Sequence, residues 1–141
     1  LTGSANGGTI LVVEDDPATR QLMQRTVEKL GLAAALTGNG REGMDWMSVN
    51  PPPVGILLDL QMPEMNGFEF LSHLRADERW QDIPVIVVTA QQLTVAERQM
   101  LNESTARIIA KGQSAYLELS QALKRVIPEK KPDRLQQSGD A

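Results

Sequence analysis

Short apolar runs rich in β-branched residues alternate along the chain with longer segments in which apolar residues recur every three to four positions. Each short run predicts a strand buried on both faces, because such a strand has no polar face to expose. The predicted strands span residues 9–14, 33–37, 54–59, 83–89 and 106–111. Each longer segment predicts an amphipathic helix. The alternation therefore predicts an α/β fold, in which a doubly wound parallel sheet of five strands carries helices on both faces.

Residues that favour the start or the end of a helix mark the helix boundaries. The first predicted helix begins at Pro17, whose fixed φ suits the first turn, and Gly31 ends it. Thr94 and Glu97 have the spacing of a capping box and predict the start of the fourth helix. The other helices are predicted at about residues 41–49, at about residues 68–77 and along Leu119, Leu123 and Val126.

The composition is that of an ordinary globular protein of one domain. The chain has 141 residues, 41% hydrophobic and 23% charged, and no apolar run approaches the roughly 20 residues that cross a bilayer. We therefore expect no membrane contact by this domain. The net charge of −4 without a basic block predicts no direct binding to nucleic acid. The absence of cysteine excludes disulfides and thiolate metal sites, and it fits a cytoplasmic location.

The two ends of the chain differ in composition from the segment between them. Residues 1–8 are small and polar with three glycines, which predicts a flexible leader or linker. Residues 128–141 are polar and contain two prolines, which predicts a disordered tail. The predicted domain therefore spans residues 9–127.

Residues 38–43, GNGREG, match the G-x-G-x-x-G pattern of dinucleotide sites, follow a predicted strand and open a predicted helix. That fingerprint belongs in the first strand–helix turn of its binding unit, whereas this is the second of five units. We favour a different interpretation, in which Gly38 and Gly40 turn the chain and Asn39 caps the helix. Glu42 then stands at the reciprocal capping position.

Acidic side chains follow the first and third predicted strands at the points where these strands end. Glu14, Asp15 and Asp16 follow the first strand, and Asp59 follows the third. Ligands of such sheets bind outside the carboxyl ends of the strands, so we expect these carboxylates to lie near one another. Neighbouring carboxylates repel, and a divalent cation such as Mg²⁺ would neutralise them. We interpret Asp15 and Asp59 as metal ligands, with a solvated Asp15 as the alternative. We interpret Asp16 as a helix cap.

Thr89 ends the fourth predicted strand and Lys111 the fifth, at the same edge of the sheet as Asp59. A lysine can be a plain exposed strand end, and threonine is common in strands for packing reasons. Their position makes a second role available, in which the Lys111 ammonium and the Thr89 hydroxyl bind phosphoryl oxygens. The small side chain of Ala90 leaves space beside that hydroxyl.

Four motifs in this order resemble the receiver domains of two-component response regulators: ILVVEDD, LLDLQMPEMNGFE, PVIVVTA and a lysine after the fifth strand. The resemblance covers about residues 9–127, and the Lys-Gly pair after an aliphatic strand resembles receivers appended to hybrid histidine kinases. It implies a flavodoxin-like (βα)5 fold with strand order 2-1-3-4-5. It also implies a phosphorelay domain that takes a phosphoryl group from a histidine kinase or a phosphotransfer protein.

The resemblance further implies a role for each residue at the strand ends. Asp59 would be the phosphoacceptor, attacking as a carboxylate nucleophile to form an aspartyl phosphate. The metal, Mg²⁺ or Mn²⁺, would be held by Asp15, Asp59 and the backbone carbonyl of Gln61. Glu14 would complete the acidic pair through a water. The phosphoryl-binding residues would be Thr89 and Lys111.

Loop residues also match the family. Pro63 and Gly67 match the turn that carries the chain from the third strand into its helix. Gln61 and Gln91 occupy positions that modulate phosphate hydrolysis in the family, two residues after Asp59 and Thr89 respectively.

Two positions depart from the family pattern. Ile108 stands where many receivers carry an aromatic switch residue. Its β-branched side chain is stiff, so we predict that it keeps its rotamer while Thr89 shifts on phosphorylation. Gly112 follows Lys111 where most receivers have a cis proline. Since a non-proline cis bond costs about 2.5–4 kcal/mol, we predict a trans Lys111–Gly112 bond.

Two other functions stay open. A Mg²⁺-dependent phosphatase with an aspartate nucleophile would commonly need a second acid where Gln61 stands. A receiver-like binding module that works without phosphate would keep the fold but would not need the acids, Thr89 and Lys111 together. As a stand-alone domain we expect no enzyme, only promotion of its own phosphorylation and dephosphorylation.

Overall fold

The computed structural model describes residues 8–127 and shows five strands and five helices in strict alternation. The strands are β1 (Thr9–Val13), β2 (Ala33–Thr37), β3 (Gly55–Leu58), β4 (Val85–Thr89) and β5 (Arg107–Ala110). The helices are α1 (Pro17–Lys29), α2 (Gly40–Val49), α3 (Gly67–Ala76), α4 (Val95–Ser104) and α5 (Ala115–Val126). The predicted α/β alternation is confirmed.

All five strands pair in parallel, in the order β2-β1-β3-β4-β5. This is the flavodoxin-like, doubly wound order that the sequence resemblance implied. The register sets Val13 of β1 opposite Leu58 of β3, so both strands end at the same level. The residues that follow these strands therefore emerge side by side at the carboxyl edge, the edge of the sheet at which the strands end.

The sheet is buried on both faces because successive strand residues point to opposite sides. Leu11 and Val13 belong to the core cluster under α2, α3 and α4, which includes Phe70. Ile10 and Val12 belong to the cluster under α1 and α5. This two-sided burial explains why the strands are continuous apolar runs, as predicted.

The predicted element bounds lie within two residues of the observed ones. The largest difference is at β4, predicted from residue 83 but beginning at Val85. The apolar run includes Pro84, which has no N–H to donate to the ladder, although its carbonyl accepts a bond from Ile56. An apolar run therefore predicts a strand but overestimates its length.

The predicted helix caps are largely confirmed. Asp16 caps α1 by accepting from the Thr19 N–H, and Thr94 and Glu97 form the predicted capping box of α4. A further capping box, formed by Asn66 and Glu69, starts α3.

The cap of α2 follows the prediction in one half only. Asn39 accepts from the Glu42 N–H as predicted, but the Glu42 carboxylate accepts from the N–H of Gly38 at 2.7 Å. The reciprocal bond therefore reaches one residue further back than predicted, and GNGREG acts as a helix start.

The predictions for the two chain ends lie almost wholly outside the described residues. Gly8 is the exception, and its carbonyl accepts a bond of 2.9 Å from the N–H of Ala33. Within residues 8–127, every helix is too short or too polar to cross a membrane.

Candidate functional site

Three carboxylates meet at the carboxyl edge of the sheet. Oxygens of Glu14, Asp15 and Asp59 all lie within 4.8 Å of one another. The Asp59 N–H donates to the carbonyl of Val13, which ties the end of β3 to the end of β1 and explains this closeness. Glu14 is fully buried and Asp59 is 3% exposed, whereas Asp15 faces solvent. The predicted grouping of these acids is therefore present.

Lys111 joins the cluster from the end of β5, two strands away from β3. Its Nζ lies 2.9 Å from Oε1 of Glu14 and 3.3 Å from Oδ2 of Asp59. The Lys111 N–H donates to the carbonyl of Thr89, which holds the end of β5 against β4. The ammonium group is therefore positioned as a counter-ion to two buried carboxylates.

Burial dominates the protonation of Glu14. It raises the pKa of this carboxyl, against the opposing effects of the Asp16 N–H, which donates to Oε2 at 3.0 Å, and of Lys111. Burial alone would lower the pKa of Lys111, but the carboxylates of Glu14 and Asp59 outweigh it and the pKa of the lysine is raised. Both Glu14 and Lys111 therefore bind their protons more tightly in the folded protein than the same groups do in water.

Oε1 of Glu14 is a buried oxygen without an aligned hydrogen-bond donor among residues 8–127. The Lys111 ammonium neutralises it at 2.9 Å, but the geometry is that of an ion pair rather than of a directed hydrogen bond. Such an oxygen, inside a cluster of carboxylates, fits a hard divalent cation that prefers oxygen ligands.

The carboxylate of Asp59 is fixed by its own loop. Oδ1 accepts from the N–H of Leu60 at 2.7 Å and more weakly from the N–H of Gln61 at 3.4 Å. Gly67 packs directly against this backbone, and a Cβ there would collide with the Asp59 carbonyl oxygen. The match of Gly67 to the family turn thus has a steric basis.

The β3–α3 loop, residues 59–66, brings Gln61 and Pro63 to the surface beside Asp59. Glu64 in this loop has φ of 67°, the left-handed region that non-glycine residues seldom adopt. The loop is therefore held in a conformation with local strain.

Thr89 ends β4 and is 3% exposed. Its hydroxyl oxygen accepts from the N–H of Gln91 at 3.1 Å, which leaves the hydroxyl proton free for another acceptor. A cavity of about 500 Å³ opens beside it. Among the residues that line this cavity are Thr89, Ala90, Gln91, Ala110 and Lys111.

Ile108 and Gly112 lie on either side of the Lys111 region. Ile108 is half-buried in β5 and packs against the core cluster that contains Leu101 of α4. The Lys111–Gly112 peptide bond is trans, as predicted. A Cβ at Gly112 would contact nothing within 4 Å and φ is not positive, so this backbone does not require glycine.

Arg20 contributes to the site although the sequence did not single it out. Its guanidinium donates to the backbone carbonyl of Glu14 at 3.0 Å and thereby fixes the end of β1. The available signal was its spacing, since Arg20 lies one helical turn after the cap Asp16.

Comparison with known proteins places these residues in a recognisable context. The model of the response regulator receiver domain family matches residues 10–124. The response regulator Rre1 of Synechocystis is 33% identical over 87 residues, which are 61% of this chain but only 37% of Rre1. The chemotaxis protein CheY1 of Helicobacter pylori is 32% identical over 83 residues, 58% of this chain and 67% of CheY1.

Solved structures agree with this match. The receiver domain of a signal transduction histidine kinase from Syntrophus aciditrophicus superposes with a TM-score of 0.76 at 25% identity, covering 95% of this chain and 96% of that one. The receiver domain of sensor histidine kinase PA1611 from Pseudomonas aeruginosa gives 0.75 at 26% identity, covering 87% and 99%. That structure has a magnesium ion coordinated in its active site cleft.

Proposed function

This chain belongs to the family of response regulator receiver domains, and on that premise we propose that it accepts a phosphoryl group on Asp59. The observation that carries the proposal is the buried Asp59 carboxylate, 3.3 Å from the Lys111 ammonium and within reach of Glu14 and Asp15. The domain itself would be residues 9–127, which agrees with the family match over residues 10–124.

We propose that the acidic cluster holds Mg²⁺ or Mn²⁺. The ligands would be the carboxylates of Asp15 and Asp59 and the backbone carbonyl of Gln61, with Glu14 acting through a water. The buried, incompletely satisfied oxygen of Glu14 and the closeness of the three carboxylates support this assignment. When bound, the metal would neutralise charge that develops on the phosphoryl oxygens.

The residues of the chain can perform the rest of the transfer. A carboxylate oxygen of Asp59 attacks the phosphorus of a phosphohistidine, so that an O–P bond forms while the N–P bond breaks and the imidazole leaves. The Lys111 ammonium neutralises charge on the transferred group, and the Thr89 hydroxyl donates its free proton to a phosphoryl oxygen. Because the transition state is loose, alignment and neutralisation supply most of the catalysis.

We propose a histidine kinase or a phosphotransfer protein as the phosphodonor and the cytoplasm as the place of action. The likeness to receiver domains of two histidine kinases, at 25% and 26% identity, supports a role in a phosphorelay. In this role the domain would be a signalling module and would catalyse only its own phosphorylation and dephosphorylation.

The experiment is incubation with acetyl phosphate and Mg²⁺, followed by intact mass measurement. We expect one added phosphoryl group on the wild-type chain, none on Asp59→Asn, and one on Asp45→Asn, a control at an exposed position of α2. An unmodified wild-type chain, or an adduct on Asp59→Asn, would contradict the proposal. Repeated turnover of p-nitrophenyl phosphate would favour the phosphatase instead.

Metal binding is tested separately by calorimetric titration with Mg²⁺. We expect Asp15→Asn and Asp59→Asn to weaken binding and Asp45→Asn to leave it unchanged, because Asp45 lies outside the cluster. Equal affinity in all four proteins would remove the metal from the proposal.

A further inference from the structure

The GNGREG segment makes a contact that the proposed chemistry does not use directly. The N–H of Gly40, the first residue of α2, donates to the carbonyl of Met65 at 3.0 Å. Met65 lies in the β3–α3 loop, the segment that begins with Asp59 and contains Gln61. The first N–H groups of a helix have no partner within the helix. In α2, the loop of the functional site accepts a hydrogen bond from one of them.

This contact requires the absence of a side chain at residue 40. A Cβ on Gly40 would collide with the Met65 carbonyl oxygen and would lie 2.9 Å from both Cβ and Cγ of Met65. The φ of Gly40 is not positive, so the requirement is for space and not for an unusual backbone conformation. The obstacle includes backbone, which cannot move aside as the end of a flexible side chain can.

The other end of the loop is held in the same manner. The N–H of Gly67 donates to the carbonyl of Leu60 at 3.1 Å, and a Cβ on Gly67 would collide with the Asp59 carbonyl oxygen. The loop is thus fixed by one glycine against its first residues and by Gly40 against α2. The positive φ of Glu64 between these points is a strained conformation of the kind that persists only where its surroundings determine it.

The start of α2 is itself rigidly anchored. Asn39 accepts from the N–H of Glu42 at 2.9 Å, and the Glu42 carboxylate accepts from the N–H of Gly38 at 2.7 Å. The Gly40 N–H is therefore presented to the loop from a fixed point and not from a fraying helix end.

We propose that Gly40 is a positioning residue for the metal and phosphoryl site. By admitting the Met65 carbonyl to the start of α2, it sets the path of the β3–α3 loop and hence the place of the Gln61 backbone carbonyl relative to Asp59. The inference rests on the proposed function and extends it to a residue outside the acidic cluster. It also assigns the GNGREG segment a structural role that does not involve dinucleotide binding.

The test compares two glycine substitutions on the same helix. Gly40→Ala displaces the loop, whereas Gly43→Ala places its Cβ 2.8 Å from Cε1 of Phe70 and 3.2 Å from Cγ2 of Val13, both core side chains. We expect Gly40→Ala to weaken Mg²⁺ binding about tenfold or more by calorimetric titration, as losses of supporting contacts around metal ligands do. We expect Gly43→Ala to lower the melting temperature while leaving Mg²⁺ affinity within twofold.

A measurement on the wild-type chain keeps the inference testable should Gly40→Ala fail to fold. Coupling between two sites is reciprocal, so Mg²⁺ binding must strengthen the Gly40–Met65 hydrogen bond if that bond supports the metal site. We expect amide hydrogen exchange at Gly40 to slow by about fivefold or more with saturating Mg²⁺. The amide of Gly43, which donates to the carbonyl of the helix cap Asn39 and not to the loop, should not respond.

The outcomes separate the inference from the function on which it rests. If the wild-type chain binds Mg²⁺ but folded Gly40→Ala binds it equally well, or if exchange at Gly40 does not respond, the positioning role is refuted and the proposed function stands. If the wild-type chain binds no Mg²⁺, the positioning role and the proposed metal site fail together, while phosphoryl acceptance by Asp59 is judged by the acetyl phosphate experiment.

Discussion

The ammonium group of Lys111 lies 2.9 Å from Oε1 of Glu14, a carboxylate that solvent does not reach. This distance is shorter than the 3.3 Å that separates the same ammonium from Asp59, the proposed phosphoacceptor. In the metal-free protein, Lys111 is therefore the principal counter-ion of Glu14 and also lies beside Asp59. Its removal should affect the fold before any phosphoryl group arrives.

Lys111→Met is expected to destabilise the metal-free protein and to do so less when Mg²⁺ is present. Methionine keeps the unbranched shape but leaves buried carboxylates without their cation. We expect a loss of about 1–3 kcal/mol, because the ammonium itself is partly exposed. A bound divalent cation would take over the neutralisation. Urea unfolding in EDTA and in saturating Mg²⁺ measures both effects.

The matched control is Lys124→Met, at an exposed position of α5. It should change the free energy of unfolding by less than about 0.5 kcal/mol under either condition. An equal loss for Lys111→Met with and without Mg²⁺ would show that the lysine does not neutralise the metal site.

The burial of Glu14 predicts a pH dependence of stability in the metal-free protein. Because its pKa is raised from the ordinary value of 4.5, the folded chain holds this proton more tightly than the unfolded chain. The contribution of this proton to the free energy of unfolding is fully present below pH 4.5, and it is lost as the pH rises through the pKa of Glu14 in the folded chain. The raised pKa of Lys111 acts in a separate range, above its ordinary value of 10.5.

Urea unfolding in EDTA across the acidic and neutral range checks this sign against Glu14→Gln, which lacks the titrating group. The difference in unfolding free energy, wild type minus variant, should fall as the pH rises above 4.5. A difference that rises with pH would mean that the Lys111 ion pair, and not desolvation, dominates the protonation of Glu14.

Glu64→Gly is expected to stabilise the protein by about 1 kcal/mol, because glycine adopts φ of 67° without the steric cost that a Cβ imposes. Glu78→Gly is the matched control in another exposed turn, where φ is not positive. There the added freedom of the unfolded chain should destabilise by about 0.5–1 kcal/mol. Thermal unfolding shows whether each variant is more or less stable than the wild type. Destabilisation by both substitutions would contradict the strain at Glu64.

Arg75 of α3 is expected to be a major contributor to stability. Its guanidinium donates to the carbonyls of Ser104 (2.6 Å), Gln81 (2.9 Å) and Ile83 (3.0 Å), which ties the end of α4 to the turn before β4. Arg75→Ala leaves these carbonyls without their donor, so we expect a loss of about 2–3 kcal/mol in urea unfolding.

Two further variants show whether the fork of the guanidinium matters. Arg75→Lys should recover less than half of the loss, because one ammonium cannot reach several divergent carbonyls as a planar guanidinium does. Arg79→Ala removes an exposed arginine that pairs with Asp77, and because solvent screens such a pair it should cost much less than Arg75→Ala. Full recovery by lysine would reduce the Arg75 role to charge alone.

These contacts also show which parts of the molecule a sequence can predict. Apolar runs and the polar residues at their ends are local signals, so the α/β alternation and the meeting of Glu14, Asp15 and Asp59 could be anticipated from them. The strand order was anticipated only through the family resemblance. The bonds from Gly40 to Met65 and from Arg75 to Ser104 join segments far apart in the sequence. No local pattern records such tertiary contacts, which arise only when the helices pack.

The displaced cap of α2 illustrates the same limit at short range. The residue types at positions 39 and 42 suit a capping box, and Asn39 does cap the helix. Whether the Glu42 carboxylate turns to the N–H of Asn39 or of Gly38 depends on the path of the preceding chain. That path is set by packing and not by the capping residues themselves.

The final prediction concerns how a phosphoryl group on Asp59 would be reported to the rest of the molecule. We expect Thr89 to shift so that its free hydroxyl proton donates to the phosphoryl oxygen, because its hydroxyl lies at the same edge as Asp59. Ile108 should keep its χ1 rotamer, since its β-branched side chain is stiff and packs against the core under α4.

Crystal structures with and without beryllofluoride and Mg²⁺, supported by methyl NMR, decide this point. Ile109 is the internal control, because it is fully buried in the opposite core cluster and reports any general change of the sheet. A new rotamer at Ile108 with Ile109 unchanged would show that an aliphatic side chain performs the switch. A moved Thr89 beside an unchanged Ile108 would instead locate the signal in the β4–α4 loop, next to the cavity that Ala90 and Gln91 line.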